Sequence, residues 1–300
     1  MTGKTFWRKF IFISGCLFLL DFAVGSLLDH FYFTIKGGAR NIMTVALEQQ
    51  ENEIVILGSS RASHHYNPKI ISDSTNLTCF NAGRDGQGII FANAVLEAML
   101  TRYTPKIVIL DVNTIELRTF GDYDKLRELE PYAKKKPTLW NTLSLVSATE
   151  KIKNISRIYP YNSMIFHIIY GHLPIGNPYY PDGFIPLSGS YNNEIPTMLY
   201  NNFQLDPNKL DAFHHFCNRC KENNIKLWVF NSPSFVIYEG NNPSGEYIEE
   251  YCRMHDIFYK NFINDSIYYC KELFSDPTHL NTAGAEKYSA EIGRIIQKSF

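Results

Sequence analysis

The hydrophobic pattern divides the chain into an apolar opening, a rhythm of short strands and amphipathic helices, and a long stretch with neither period. The opening is a run from Phe10 to Leu28, broken only by Asp21. Beyond it, Glu53-Ile-Val-Ile-Leu57, Thr78-Cys-Phe-Asn81 and Lys106-Ile-Val-Ile-Leu110 read as short buried strands, the first running into Gly58. Between the second and third, the apolar residues Ile89, Ala92, Val95, Leu96 and Met99 recur at helical spacing over 89–101. A helix from about Pro207 to Glu222, with Asp206 as its cap and Pro207 in its first turn, leads into a strand over Ile225–Phe230. Thr282–Gln297 reads as a last amphipathic helix capped by Asn281. Strands that alternate with helices predict βαβ units and an α/β fold, its parallel sheet covered on both faces. The stretch 114–204 interrupts the rhythm and is rich in Pro, Tyr, Asn and Gly, as in Gly176-Asn-Pro-Tyr-Tyr-Pro-Asp-Gly-Phe-Ile-Pro186. An irregular insertion of that length in a compact domain is either a binding element or a packed decoration without a ligand.

The opening run is about 28 Å long at about 1.5 Å per residue, close to the bilayer core of about 30 Å. Lys4, Arg8 and Lys9 precede it, so the positive-inside rule puts the N-terminus in the cytoplasm and the remainder outside, although Lys36 and Arg40 follow on the far side. Three other readings compete with an uncleaved anchor. Val24-Gly25-Ser26 is a poor imitation of a signal-peptide cleavage site. Ile13-Ser14-Gly15-Cys16 has the form of a lipoprotein box, but it stands too near the charges and the apolar run continues past Cys16. A buried helix of a soluble domain would be shorter and patterned. The expectation is a membrane anchor over 1–30 and one extracytoplasmic domain over 31–300. Asp21 is costly in mid-membrane; it answers either a partner contact or local water penetration.

Composition narrows the function classes. Hydrophobic residues are 45% and charged residues 20% of the 300, which excludes wholesale disorder and fibrous repeats. With Lys plus Arg at 29 and Asp plus Glu at 30 the net charge is −1, and no basic stripe exists, so nucleic acid is not an expected partner. Six cysteines do not make a disulfide framework in a domain this large. Cys16 lies in the anchor, leaving Cys79, Cys217, Cys220, Cys252 and Cys270. Cys217-Asn-Arg-Cys220 falls inside a predicted helix, without a second pair and without a ligand set from His214 and His215, so a structural pair or two buried thiols is expected rather than a metal or redox site. No cofactor is expected.

The chemistry gathers just past the ends of the predicted strands. Gly58-Ser59-Ser60-Arg61-Ala62 sets a serine on a strand-to-helix turn, the geometry of a nucleophile elbow. Such a serine needs a base, and His279 in Ser275-Asp276-Pro-Thr-His279 is the best placed, with Asp276 close enough to fix its tautomer. Oxyanion donors are available in Asn81-Ala-Gly83-Arg-Asp-Gly86 and in Asp111-Val-Asn113. Every candidate follows the carboxyl end of a strand, where open α/β sheets hold their ligands. Each also has a structural alternative: Ser59 or Ser60 as a helix cap, Asp276 and His279 as caps of the last helix, Asn113 as a turn residue. Arg61 either binds an anionic substrate group or pairs with an acid on the surface. His64 and His65, as neighbours that point apart, do not form a metal pair.

In these blocks the chain resembles the SGNH/GDSL hydrolase superfamily, over about residues 53–113 and 207–299. The resemblance implies a flavodoxin-like three-layer α/β/α fold. It matches Ser60 to the nucleophile, Asp276 and His279 to its partners, and the Ser60 and Gly86 N–H groups with the Asn113 amide to the oxyanion hole; Gly83 is the alternative glycine. An α/β-hydrolase, the other home of such an elbow, carries its serine after several strands rather than the first. The first block reads Gly-Ser-Ser-Arg rather than Gly-Asp-Ser-Leu and the third Leu-Asp-Val-Asn-Thr rather than Gly-Gly-Asn-Asp. In this they look more like membrane-anchored members that act on cell-envelope polymers, such as those of alginate acetylation. The resemblance therefore implies a serine esterase acting on O-acetyl groups of a cell-envelope glycan. The alternatives are an acyltransferase with the same machinery beside a multi-spanning membrane acyltransferase, and a non-catalytic glycan-binding protein.

Overall fold

A computed structural model describes residues 3–120, 123–173, 178–200, 203–263 and 265–298. Gly176 and Asn177 of the Pro- and Tyr-rich motif lie outside them. The chain divides into two compact units, Met1–Asn41 with Tyr123–Tyr179, and Ile42–Asp122 with Tyr180–Phe300. The stretch expected as one insertion over 114–204 is thus shared between them.

The larger unit is built on five parallel strands, β1 (Ile54–Gly58), β2 (Cys79–Asn81), β3 (Ile107–Asp111), β4 (Lys226–Asn231) and β5 (Phe258–Asn261), in the order β2-β1-β3-β4-β5. This is the flavodoxin-like order, and it reverses direction between β1 and β3. β1 and β3 are buried at every position, as continuous apolar runs between two helical layers must be. The expected strands therefore form, each displaced by about one residue, as element ends commonly are. β5 has no apolar run: as the edge strand it pairs with β4 alone and exposes Phe258 and Asn261.

The helices of this unit begin where the sequence caps them. Helix α6 (Pro207–Glu222) starts at Asp206, whose carboxylate accepts the Asn208 N–H at 3.0 Å. Helix α8 (Thr282–Gln297) starts at Asn281, which accepts the Gly284 N–H at 3.1 Å. Helix α2 (Gly38–Glu48) precedes β1, and α3 (Ser60–His65), α4 (Pro68–Thr75), α5 (Ile89–Leu100) and the later α7 (Pro243–Met254) complete the layers. Cys217 and Cys220 are buried free thiols on α6, and burial pushes the Cys220 thiol up to about 12.

The smaller unit holds helix α1 (Gly3–Phe33), long and apolar enough to cross a membrane. Its first part is exposed throughout, whereas Gly25 and Tyr32 are buried against the short helices of 123–173. Asp21 is answered by its own chain: it accepts from Ser156 Oγ at 2.6 Å and from the Arg157 N–H at 2.8 Å.

The polar residue that organises the strand ends is Asn81. Fully buried, it donates to the Ala62 and Tyr66 carbonyls at 2.7 and 2.8 Å and accepts the Gly83 N–H at 2.9 Å, joining α3 to the loop after β2. Asn81→Ala leaves three buried backbone groups unpaired, and we expect a loss of about 3 kcal/mol, since each such group costs about 1–3 kcal/mol. Urea unfolding at unchanged slope measures it; a loss under about 1 kcal/mol contradicts this role.

Candidate active site

The turn after β1 is sterically tight. Gly58 has φ of +146°, and a Cβ there would lie 2.6 Å from the Asp111 carbonyl oxygen on the neighbouring strand. Only glycine lets the chain leave the sheet at that point and enter α3 at once. Ser59 caps this helix by accepting the Arg61 N–H at 3.4 Å, and that frees Ser60 from capping. Of the two serines, the structure thus separates a cap from a serine whose hydroxyl is engaged elsewhere.

That partner is His279. The Ser60 Oγ lies 2.8 Å from His279 Nε2, and His279 Nδ1 lies 2.8 Å from Asp276 Oδ2. Asp276 and His279 are register partners in a tight antiparallel hairpin of Phe274–Asp276 with His279–Leu280, which is why two side chains three residues apart face one another. The Asp276 carboxylate also accepts the Thr278 N–H at 2.8 Å and the His279 N–H at 3.0 Å. Burial pushes its carboxyl up, but the Thr278 N–H and the His279 imidazole more than offset this and hold it below the ordinary aspartate value. An ionised Asp276 requires a proton on Nδ1 and leaves Nε2 free to accept from the serine.

The two remaining expected residues stand on the same edge without joining that path. Gly86 is exposed in the turn closed by the Gln87 N–H to the Arg84 carbonyl at 3.1 Å. The Gly83 N–H, by contrast, is taken by Asn81. Asn113 donates one amide hydrogen to Glu116 Oε2 at 2.6 Å and accepts the Ile115 N–H at 2.9 Å, so it does fix a turn and keeps one amide hydrogen in reserve. Buried Glu116 accepts the Ile89 N–H at 2.6 Å through its other oxygen and so ties this loop to the start of α5.

Arg61 is a correction. It does not face a substrate: the residue is buried, its Nε donates to Ser232 Oγ at 3.1 Å, and Nη2 donates to Asn231 Oδ1 at 2.9 Å and to the Ser232 carbonyl. Its charge lies 4.0 Å from Asp111, whose carboxylate also accepts from Tyr66 Oη at 2.6 Å. The guanidinium clamps α3 to the ends of β3 and β4. The pattern Gly-Ser-Ser-Arg contains nothing that separates such an inward arginine from an outward one.

Sequence reasoning also missed the two histidines after it. His65, wholly buried, accepts the Leu280 N–H on Nε2 at 3.0 Å, so its Nδ1–H donates to Ser232 Oγ at 2.9 Å. One helix thereby carries the serine and also grips the backbone beside His279. His64 reaches the Ile185 carbonyl at 2.7 Å and Asp85 at 3.3 Å, with its ring edge-on to His279 at 5.6 Å. The segment after Tyr180 straps across these elements, through the Ile185 N–H to the Ser63 carbonyl at 3.1 Å and the Thr282 N–H to the Leu187 carbonyl at 2.8 Å. Among the described residues, no cluster of His, Cys, Asp and Glu could hold a metal ion.

No protein-family model matches the chain, and no curated protein does. Solved structures with some likeness include a candidate lipolytic protein of the G-D-S-L family from Desulfitobacterium hafniense DCB-2, at 11% identity, 81% of this chain and 99% of that chain, with a TM-score of 0.40. A candidate acylhydrolase from Bacteroides fragilis NCTC 9343 has 11% identity, covers 84% and 89%, and has a TM-score of 0.40. A candidate platelet activating factor from Streptococcus pneumonia has 13% identity, covers 92% and 98%, and has a TM-score of 0.38.

Burial, and then the charges of Arg61 and His279, hold His65 well below the ordinary histidine pKa. The unfolded state therefore binds a proton more readily, and stability from this group is fully present above about pH 6.5 and lost as pH falls below it. His64 runs the other way: burial opposes its charge, but Asp85 and the Ile185 carbonyl outweigh it, so its contribution is complete below about pH 6.5 and fades as pH rises through its raised value. Comparing His65→Gln with the parent isolates the first effect: the variant should lose less stability than the parent between about pH 6.5 and 5. Parallel curves over that window would show that His65 does not bear this load.

Proposed function

We propose that the chain is a membrane-anchored serine esterase of the SGNH/GDSL superfamily that removes O-acetyl groups from a cell-envelope glycan. The observation that carries the esterase reading is the unbroken path from Ser60 Oγ through His279 to Asp276, at 2.8 Å in each step. His279 Nε2 takes the hydroxyl proton as Ser60 attacks the ester carbonyl, and returns it to the departing alcohol oxygen. Water then attacks the acyl-serine by the reverse sequence, with Asp276 holding the ring throughout. The oxyanion donors in this reading are the Ser60 N–H, which has no intrahelical acceptor at the first position of α3, together with Gly86 and the remaining amide hydrogen of Asn113.

The anchor reading is supported by the exposed apolar side chains from Phe6 to Leu20, preceded by Lys4. Burial of Gly25 and Tyr32 within the same unit favours retention over cleavage near Val24–Ser26. With the positive flank inside, the chemistry lies outside the cytoplasm. The glycan reading is supported by the composition of the segment that straps α3 to α8, where Tyr180, Asn192 and Asn193 bring an aromatic ring and amides of the kind suited to sugar rings.

The purified full chain should release free acetate from acetylated oligosaccharides. Ser60→Ala should lower kcat by about 10³-fold or more, and Asp276→Asn by about 10³–10⁴-fold, with circular dichroism unchanged. Strong cleavage of long-chain acyl esters with none of acetylated glycans rejects the substrate class, and mass gain on an added oligosaccharide marks a transferase. Unchanged turnover in Ser60→Ala contradicts the esterase reading altogether.

A further inference from the structure

The free part of α1 is too short to cross a bilayer, and this has a consequence for the unit packed against it. From Lys9 to Asp21 the helix rises about 18 Å, and even from Lys4 only about 26 Å, against a hydrocarbon core of about 30 Å. Tilt shortens the reach further. If α1 spans, as proposed above, the core must continue beyond Asp21 toward Asp29. That stretch is not bare helix: Arg157 stacks on Phe22 at 4.6 Å and donates to Ser26 Oγ at 2.9 Å, while Tyr161 donates to Asp29 at 2.7 Å.

We infer that residues 150–173 form a wedge that enters the leaflet remote from Arg8 and Lys9, beside α1. Ile155 adjoins Ser156, which is bonded to Asp21, so it lies at the depth where hydrocarbon is still required. It is 73% exposed and neighbours Ile152, 66% exposed. The short helix Ile165–Gly171 follows the level of Asp29 to Phe31, where His172 meets the Phe31 carbonyl at 2.8 Å, and there Phe166 is 85% exposed beside the exposed Ile169 and Tyr170. Apolar residues with an aromatic at this height suit the boundary between acyl chains and headgroups.

A second observation points to the same surroundings. Irregular backbone and charges at membrane depth persist only when satisfied from within the protein. Here Asp21 accepts from Ser156 and the Arg157 N–H, Asp29 from Tyr161, and Glu150 from Arg127 at 2.7 Å and Lys153 at 2.8 Å. The carboxylates are thus answered from within the protein while Ile152, Ile155 and Phe166 stay exposed, and the exposed Lys151 and His167 beside them have side chains long or amphipathic enough to reach the headgroups.

The inference rests on the anchor reading, and the test separates the two. The full chain carries Cys16→Ser and Cys270→Ser, because both thiols are exposed, and then Ile155→Cys, Phe166→Cys or, as reference, the exposed Lys69→Cys. Broken membrane fragments, open to reagent on both faces, are treated with a membrane-impermeant maleimide before and after detergent. A thiol in hydrocarbon neither ionises nor meets the reagent, so Ile155→Cys and Phe166→Cys should label about tenfold or more slower than Lys69→Cys in membranes and equally in detergent. Equal labelling in membranes, from protein that stays in the pellet after alkaline carbonate, overturns the wedge and spares the anchor. Slow labelling that persists in detergent means burial in protein and also overturns it. Release of the chain by carbonate overturns the anchor and the wedge together.

Discussion

Ser60 and His279 stand 219 residues apart in sequence, and one buried hydrogen bond holds the loops that carry them in register. His65, five residues along the same short helix as Ser60, accepts the N–H of Leu280, the residue after His279. That bond requires an unprotonated Nε2, which fixes the other nitrogen as donor to Ser232; burial enforces the neutral state. Arg61, one turn earlier on the same face of the helix, completes the grip against Asn231 and Ser232 at the end of β4. A six-residue helix has little stability of its own, so these side chains rather than its backbone keep the serine where the imidazole can reach it.

The constraint extends through the sheet. Gly58 lets β1 end against Asp111, and Gly83 lets the loop after β2 approach α3 so closely that a side chain there would overlap the Ser63 nitrogen. With Gly58 aligned to Asp111 and Ile56 to Asn81, the ends of three parallel strands deliver their loops to one edge. The site is therefore a property of register, and register in a buried parallel sheet is set by apolar runs that tolerate no slip.

This explains which features could be read from the chain. The strands 54–58 and 107–111, the capped helices at Pro207 and Thr282, and the candidates Ser60, Asp276 and His279 announce themselves by local pattern. β5 is silent because an edge strand with Lys260 and Asn261 has no apolar run, and α4 and α7 are short or polar. The inward turn of Arg61, the tautomer of His65 and the three bonds of Asn81 depend on distant partners that no local spacing reveals. The region 123–173 was legible only as an interruption: its short helices pack on α1 through Tyr32, Tyr132 and Tyr161, and the partner of Asp21 was its own chain. An aspartate in an apolar helix signals that some partner exists without saying which.

The central claim is that Ser60 is an activated nucleophile. Labelling the full chain with a fluorophosphonate probe, alongside Ser60→Ala and His279→Ala, tests it most directly, because the probe reacts with the serine irrespective of the natural substrate. The account requires stoichiometric labelling of the parent that disappears in both variants. A well-folded parent that takes no label, or labelling that survives in Ser60→Ala, would contradict it.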